Sequence, residues 1–351
     1  MEETWDVIVA GAGIIGLSLA LELHERGARV LVLDRGEPGR EASSAAAGML
    51  APADPETPEA LRPLAFESAR IYPEFVRKLE AGSGIDVDFR RQGTISFLHA
   101  SSPPPEYRKL TSEQLRDLES SIQPQPGSAF FVQEDSVDPR LLMQAALAVA
   151  HNKGISIQGN SEVTAIRSAR GSVEVTADGA SYAVQSAVNC RGAWAGVPVK
   201  PRKGQMLSLF PRRKNLLQRC VLAPDVYLVP RSSGRVVIGA TVEDAGYDRT
   251  VEPAVIENFH RAAARLIPEL RDLPVEESWV GLRPGTPDDL PLLGETDIPG
   301  VFIAAGHFRN GILLAPVTAT IMASLITGKA AGMGISAFSP GRFATAQIPF
   351  L

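Results

Sequence analysis

A glycine triplet near the start of the chain, Gly11-Ala12-Gly13-Ile14-Ile15-Gly16, limits the architecture more than any other feature. It follows the apolar run Trp5–Ala10 and precedes Ile14–Arg26, where Leu17, Leu19, Ala20, Leu21 and Leu23 give a largely apolar helix. Arg29–Leu33 reads as a second strand and ends on Asp34. Strand, glycine turn, helix and strand within about 30 residues make a βαβ unit. In that setting Gly11 permits the tight turn, Gly13 lets the backbone approach a pyrophosphate, and Gly16 lets the helix pack on the strand. The amides of Ile14 and Ile15 present the positive end of the helix dipole to phosphate. Asp34 stands where a carboxylate accepts ribose hydroxyls. The unit predicts a dinucleotide site in an α/β domain, and by itself does not separate FAD from NAD.

With 351 residues the chain has room for more than one domain. A formal net charge of −5 offers no general attraction for nucleic acid, and none is expected as a partner. Cys190 and Cys220 are the only cysteines. With no CxxC spacing and no paired histidines at ligand spacing, neither a disulfide framework nor a metal site is expected. The N-terminus lacks the basic stretch of a secretory leader. The apolar run Ile312–Ile326 falls short of the ~20 residues that span a bilayer and reads as a buried helix. A cytoplasmic protein with no membrane partner is the expectation.

Beyond the first unit, Glu56–Glu80 has helical periodicity that Pro63 and Pro73 are expected to break. Ser101–Pro105 is a proline-rich loop, and Thr111 with Gln114 forms a capping box for a short helix over Thr111–Ser120. Asp138-Pro139 starts a helix reaching about Ala150. Strands are expected at Thr94–Leu98, Ser156–Gln158, Ser161–Ser168, Ser172–Ala177, Ala183–Cys190, Ser278–Leu282 and Val301–Ala305, and a helix at Pro253–Leu266. Gly204–Gly239 is β-rich. Placing the motifs on this order gives an α/β (α+β two-domain) chain. A Rossmann-like dinucleotide-binding domain (FAD-binding under the resemblance given below) is expected from 1–54, 138–198 and 285–351, with a discontinuous antiparallel-sheet substrate domain from 55–137 and 199–284.

Other motifs carry chemistry less specifically. The small residues of Glu41–Leu50 allow close backbone approach, and Ser43 and Ser44 suit helix capping together with phosphate binding, or a plain helix start. Val188–Trp194 ends a strand in a turn at Gly192, a place for the edge of a cofactor sheet. Trp279, Gly281 and Arg283 alternate onto one strand face. Arg283 there offers a bidentate fork to a carboxylate, or a salt bridge to Asp288 or Asp289. Tyr227 is a second donor to such a carboxylate, or a tyrosine packed on a sheet. Gly179–Pro224 contains no acid but holds Arg191, Lys200, Arg202, Lys203, Arg212, Arg213, Lys214 and Arg219. That run reads as a solvated face, with steering of anions or contact with an anionic membrane beside Leu216-Leu217 as the functional options.

Taken together, Val9–Gly16, Ser44–Pro52, Tyr227–Arg231, Val237–Thr241, Trp279–Asp288 and Gly306–Pro316 resemble the D-amino-acid-oxidase superfamily of FAD enzymes, in family order along nearly the whole chain. The similarity is greatest to its glycine oxidase branch, the deaminating enzymes of thiazole (thiamine) biosynthesis. The resemblance implies noncovalent FAD, with Gly11, Gly13, Ile14, Ile15 and Gly16 at the pyrophosphate and Asp34 and Arg35 at the adenosine. Val163 would lie near the adenine, and Ser43, Ser44, Ala47, Gly48 and Met49 would line the route to the flavin. Gly192, Trp194, His307, Arg309, Asn310, Gly311, Ile312 and Leu313 complete the implied cofactor contacts. Arg283, Tyr227 and Arg309, with Met49, would form the substrate and catalytic site. The implied reaction is hydride transfer from glycine or a similar small amine or D-amino acid to the flavin, O2 being reduced to H2O2 and the imine hydrolysed to glyoxylate and ammonia. The alternative within the same chemistry is a D-amino-acid dehydrogenase passing electrons to a membrane quinone. A homo-oligomer stays open. Two departures from the family pattern bear on the substrate: the Trp194–Lys203 connection is short, and Val242 stands where a bulkier methionine is expected.

Overall fold

The computed structural model describes residues 4–98, 103–169, 171–196 and 198–343, so part of the proline-rich loop Ser101–Pro105 lies outside the described residues. Six strands form the sheet that carries the glycine turn, in the order Leu292–Glu295, Val301–Ala305, Ser186–Asn189, Val7–Ala10, Val30–Leu33, Ser156–Gln158. All neighbours run parallel except the antiparallel edge strand Leu292–Glu295. Val7–Ala10 is apolar at every position because both faces of the sheet are covered. Val7 and Val9 face a helical layer, while Ile8 and Ala10 face a three-stranded antiparallel sheet of Val163–Ala169, Ser172–Ala177 and Ala180–Val184. The span expected as one strand over Ala183–Cys190 is divided there, its first part turning into that small sheet and its second joining the parallel one.

The helical layer consists of Ile14–Glu25, Arg62–Ser83, Pro139–Asn152 and Gly311–Ile326. Arg62–Ser83 corrects two expectations. It is one helix, with Pro63 tolerated in its first turn and Pro73 in its interior. Leu64, Ala65, Ser68, Tyr72, Val76 and Leu79 line its buried face and pack with the first and last helices, which outweighs the ~3 kcal/mol that an interior proline costs. Although it lies within 55–137, it therefore shares the core of the parallel sheet.

The second large sheet has eight strands, in the order Glu277–Gly285, Lys200–Leu209, Val236–Gly239, Val226–Pro230, Cys220–Ala223, Thr94–Leu98, Ser128–Val132, Arg108–Lys109. It is antiparallel except where Cys220–Ala223 runs parallel to Thr94–Leu98. Alternation divides its residues between two environments. Leu207, Leu209, Leu228 and Ile238 pack on the helix Pro253–Leu266, and Met206, Tyr227, Val229 and Val237 face the other way, toward Ala47 and Met49. The Thr111 capping box, the Asp138 cap and the Pro253–Leu266 helix form as expected. The architecture is mixed α/β, with a Rossmann-like sheet and a second sheet of mainly antiparallel strands, and a cavity lies where the two meet.

Candidate active site

The cavity begins at the glycine turn. Gly11 has φ +111°, and a Cβ there would lie 2.3 Å from the carbonyl oxygen of Cys190, so only glycine lets the turn sit against the end of the neighbouring parallel strand. A Cβ at Gly16 would lie 1.9 Å from the Gly11 carbonyl oxygen, which fixes its role in packing rather than in lining. Gly13 is different: a Cβ there meets only the Ser43 hydroxyl, at 3.2 Å, and otherwise narrows the cavity. The Ile14 amide donates to Ser43 Oγ at 3.0 Å, a cap supplied from 29 residues away. No acidic side chain occupies the first turn of that helix. The Asp34 carboxylate accepts the Ala12 amide at 2.7 Å and the Gly36 amide at 2.9 Å, which pins it at the cavity edge with lone pairs to spare.

Beside it the Arg35 guanidinium lies 3.8 Å above the centroid of Trp194, which stacks in turn on Tyr247 at 5.5 Å. Val163 and Gly192 complete this end, and Arg191 donates to the Val163 carbonyl at 3.0 Å. These groups form an elongated slot with phosphate-binding backbone at one point and a carboxylate beyond it. Such a slot fits a dinucleotide in chemistry and in shape.

The opposite end is built on the eight-stranded sheet. Gly204 and Gly281 face each other across adjacent strands, and the Arg283 guanidinium lies flat over Gly204. A Cβ at Gly204 would stand 2.1 Å from Arg283 Nη1. Nη1 donates to the Thr241 carbonyl at 3.0 Å, which leaves the rest of the fork for a ligand. Asp288 is engaged by Arg342 at 2.8 Å, so the salt-bridge alternative for Arg283 does not form with it. Burial pulls the Arg283 pKa below its ordinary value, partly offset by Tyr227. Burial likewise raises the Tyr227 phenol, against the lowering effect of Arg283, and its hydroxyl meets Met206 Sδ at 3.7 Å.

Arg309 pairs with Glu56 at the rim; burial lowers its pKa, and the carboxylate more than restores it. His307 is buried, its Nε2 3.1 Å from the Thr318 hydroxyl, and burial pushes its pKa down to about 3. Met49, Ala47, Gly48, Asn310, Gly311 and Ile312 also line the cavity, and Val242 stands half exposed at its mouth.

Three of the expected residues do not line it. Gly16 packs the turn, Ser44 donates to the Gly39 carbonyl, and Leu313 is buried in the helical core. Sequence reasoning missed Gly204 and Met206, which alternate onto the site face of the strand Lys200–Leu209, and Ala240, which follows directly on the strand Val236–Gly239. In the acid-free run Lys200, Arg212, Arg213 and Lys214 are exposed, as a solvated face requires, while two other cations depart from it. Lys203 is fully buried against Glu243, Asp248 and Glu252, and Arg219 bonds Glu119. Leu216 and Leu217 are buried, which removes the apolar surface that a membrane contact beside them needs. No helix among the described residues is long and apolar enough to cross a membrane, and none of their His, Cys, Asp and Glu side chains cluster to hold a metal. Cys190 and Cys220 are free and buried.

The bifunctional protein ThiO/ThiG of a Synechocystis species is 38% identical over 99% of this chain, and the chain spans about half of that relative's length, 56%. Glycine oxidase of Geobacillus kaustophilus is 32% identical, with 97% of each chain covered. The crystal structure of glycine oxidase from the same organism superposes with a TM-score of 0.91 at 31% identity, covering 97% of this chain and 99% of the other. The family model described as DAO, FAD dependent oxidoreductase, matches residues 6–325, and the chain belongs to that family.

Proposed function

We propose that the chain oxidises glycine or a similar small amine or D-amino acid, with FAD in the slot and O2 as acceptor. The observation that carries this reading is the Arg283 fork, laid on Gly204, tied to Thr241 and open to the cavity. A planar guanidinium in a desolvated pocket selects a carboxylate and orients it bidentately. Tyr227 stands on the same face of the sheet and supplies a hydroxyl donor. Arg309 closes the rim with Glu56, and Met49 adds an apolar wall.

Gly11, Gly13, Ile14 and Ile15 would hold the pyrophosphate, Asp34 and Arg35 the adenosine, and the Gly311 helix start the ring system. Gly16, Ser44 and Leu313 would act from behind this contact layer. Bound FAD would supply the two-electron acceptor. The chain's own part is orientation: Arg283 fixes the carboxylate, and the α-carbon is thereby directed into the cavity. Burial keeps His307 neutral and Thr318 engages its Nε2, so it is a poor acceptor for the ammonium proton. Amine, O2 and water then give the 2-oxo acid (glyoxylate from glycine), ammonia and H2O2.

The division into 1–54, 138–198 and 285–351 against 55–137 and 199–284 is retained as a proposal, with Arg62–Ser83 moved to the first group. The free cysteines support a cytoplasmic location. The likeness to ThiO/ThiG supports a place in thiazole supply.

The test is Arg283→Ala on the yellow holoenzyme. Removing a charged, bidentate partner is expected to lower kcat/KM for glycine by about 10²-fold or more, with the flavin spectrum retained. Unchanged kcat/KM in a yellow variant overturns the assignment.

A further inference from the structure

Lys203 and Gln205 point away from the cavity, on the face opposite Gly204 and Met206. There Lys203 Nζ meets Asp248 at 2.6 Å, Glu252 at 3.5 Å and Glu243 at 3.7 Å, with its side chain wholly out of solvent. Gln205 donates to Glu243 at 2.9 Å and accepts the Glu252 amide at 2.7 Å. The backbone repeats the tie: Lys203 and Glu243 exchange two amide hydrogen bonds of 2.9 Å, and the Gln205 amide donates to the Thr241 hydroxyl at 3.0 Å. All of these bonds converge on the segment 241–252. Its first residue, Thr241, supplies the carbonyl that fixes Arg283 Nη1, and the next, Val242, forms the mouth. Without the ammonium, three carboxylates would face one another across a short distance, and the segment would be pushed off the strand.

We infer that Lys203 is a positioning residue for substrate: by neutralising Glu243, Asp248 and Glu252 it holds the Thr241 carbonyl, and through it the Arg283 fork, in register with the bound carboxylate. The inference rests on the proposed carboxylate-binding role of Arg283. Lys203 touches neither substrate nor cofactor, so it acts only through the placement of the fork, and its effect reaches any bound carboxylate, oxidised or not. Loss of its charge is a displacement of the fork, not its removal.

The experiment measures the Kd of acetate, a carboxylate that is not oxidised, from the flavin difference spectrum of holoenzyme, together with KM and kcat for glycine. Lys203→Met is expected to raise the acetate Kd and the glycine KM in parallel by about tenfold, as a displaced fork predicts, with any fall in kcat accompanying that rise and not replacing it. Lys203→Arg is expected to stay within about threefold of the parent, since it keeps the charge. In an Arg283→Lys background, Lys203→Met should add no further change, because the fork on which it acts is gone. Should Lys203→Met yield no holoenzyme, Lys203→Gln reads the same quantity, since it too removes the charge but keeps a polar head among the three carboxylates, with a rise in both constants of about tenfold expected.

An unchanged acetate Kd in a folded Lys203→Met, or in Lys203→Gln where that variant is the one read, overturns the inference. So does a loss confined to kcat, or an equal weakening in the Arg283→Lys background. If Arg283→Lys alone leaves acetate binding untouched, the carboxylate reading of Arg283 falls first, and the inference falls with it.

Discussion

Gly204→Ala isolates the floor beneath the arginine fork. Gly204 lies in a regular strand, and the nearest atoms to an added Cβ are Arg283 Nη1 at 2.1 Å and Cζ and Nη2 at 2.7 Å. A comfortable contact is about 3.5 Å, so Nη1 must retreat by about 1.4 Å. Those atoms are the far end of a flexible side chain, and they can move without disturbing the sheet. Glycine in a strand interior is weakly destabilising, so alanine should leave Tm unchanged or slightly raised. The displaced fork, however, loses its Thr241 bond or its alignment with substrate. A charged hydrogen bond is worth about 1.5–3 kcal/mol, which corresponds to a rise in acetate Kd and glycine KM of about 10- to 150-fold. The assay is spectral titration of the yellow variant beside a thermal melt. A variant with parent-like acetate Kd would refute the placement of Arg283 over Gly204, whatever its Tm.

Two other perturbations probe the slot and the fold. Ser43→Ala removes the acceptor for the Ile14 amide, and is expected to lower stability by about 1 kcal/mol and to weaken FAD binding severalfold in titration of the apoprotein; parent-like values in both would exclude the cap. Glu134 is buried with an unpartnered Oε1, and burial, with the Asp54 charge behind it, pushes its carboxyl up to about 8. A raised carboxyl contributes stability that is fully present below its unfolded value near 4.5 and is lost as pH rises through 8. Glu134→Gln should therefore match the parent near pH 4 and melt progressively higher as pH rises from about 4.5 to 8, by the equivalent of a few kcal/mol at most; parallel Tm curves from pH 4 to 9 would count against this.

The glycine turn was legible because each of its parts is local: strand, turn, helix and Asp34 all fall within thirty-odd residues. Caps were legible for the same reason, as Thr111 with Gln114 and Asp138 with Pro139 show. What escaped depends on partners far along the chain. Lys203 and Arg219 read like their solvated neighbours because their acids come from elsewhere, Glu119 before the run and Glu243, Asp248 and Glu252 after it. Pro73 looked like a helix end because the burial that overrides it is supplied by the Gly311–Ile326 helix. Gly204 carried no signal in sequence, since its meaning lies in a side chain 79 residues on. Arg283 itself was found because its strand neighbours, Trp279 and Gly281, alternate with it onto one face.

The cavity draws its walls from Gly11 and from His307–Ile312, nearly three hundred residues apart. A nascent chain leaving the ribosome thus completes its first strand and turn long before the segment that finishes the pocket has been translated. Until then the glycine turn can present its amides, but nothing covers the far end of the slot. Cofactor loading becomes one of the last events of biogenesis, and a chain interrupted before residue 300 would have no finished pocket to load.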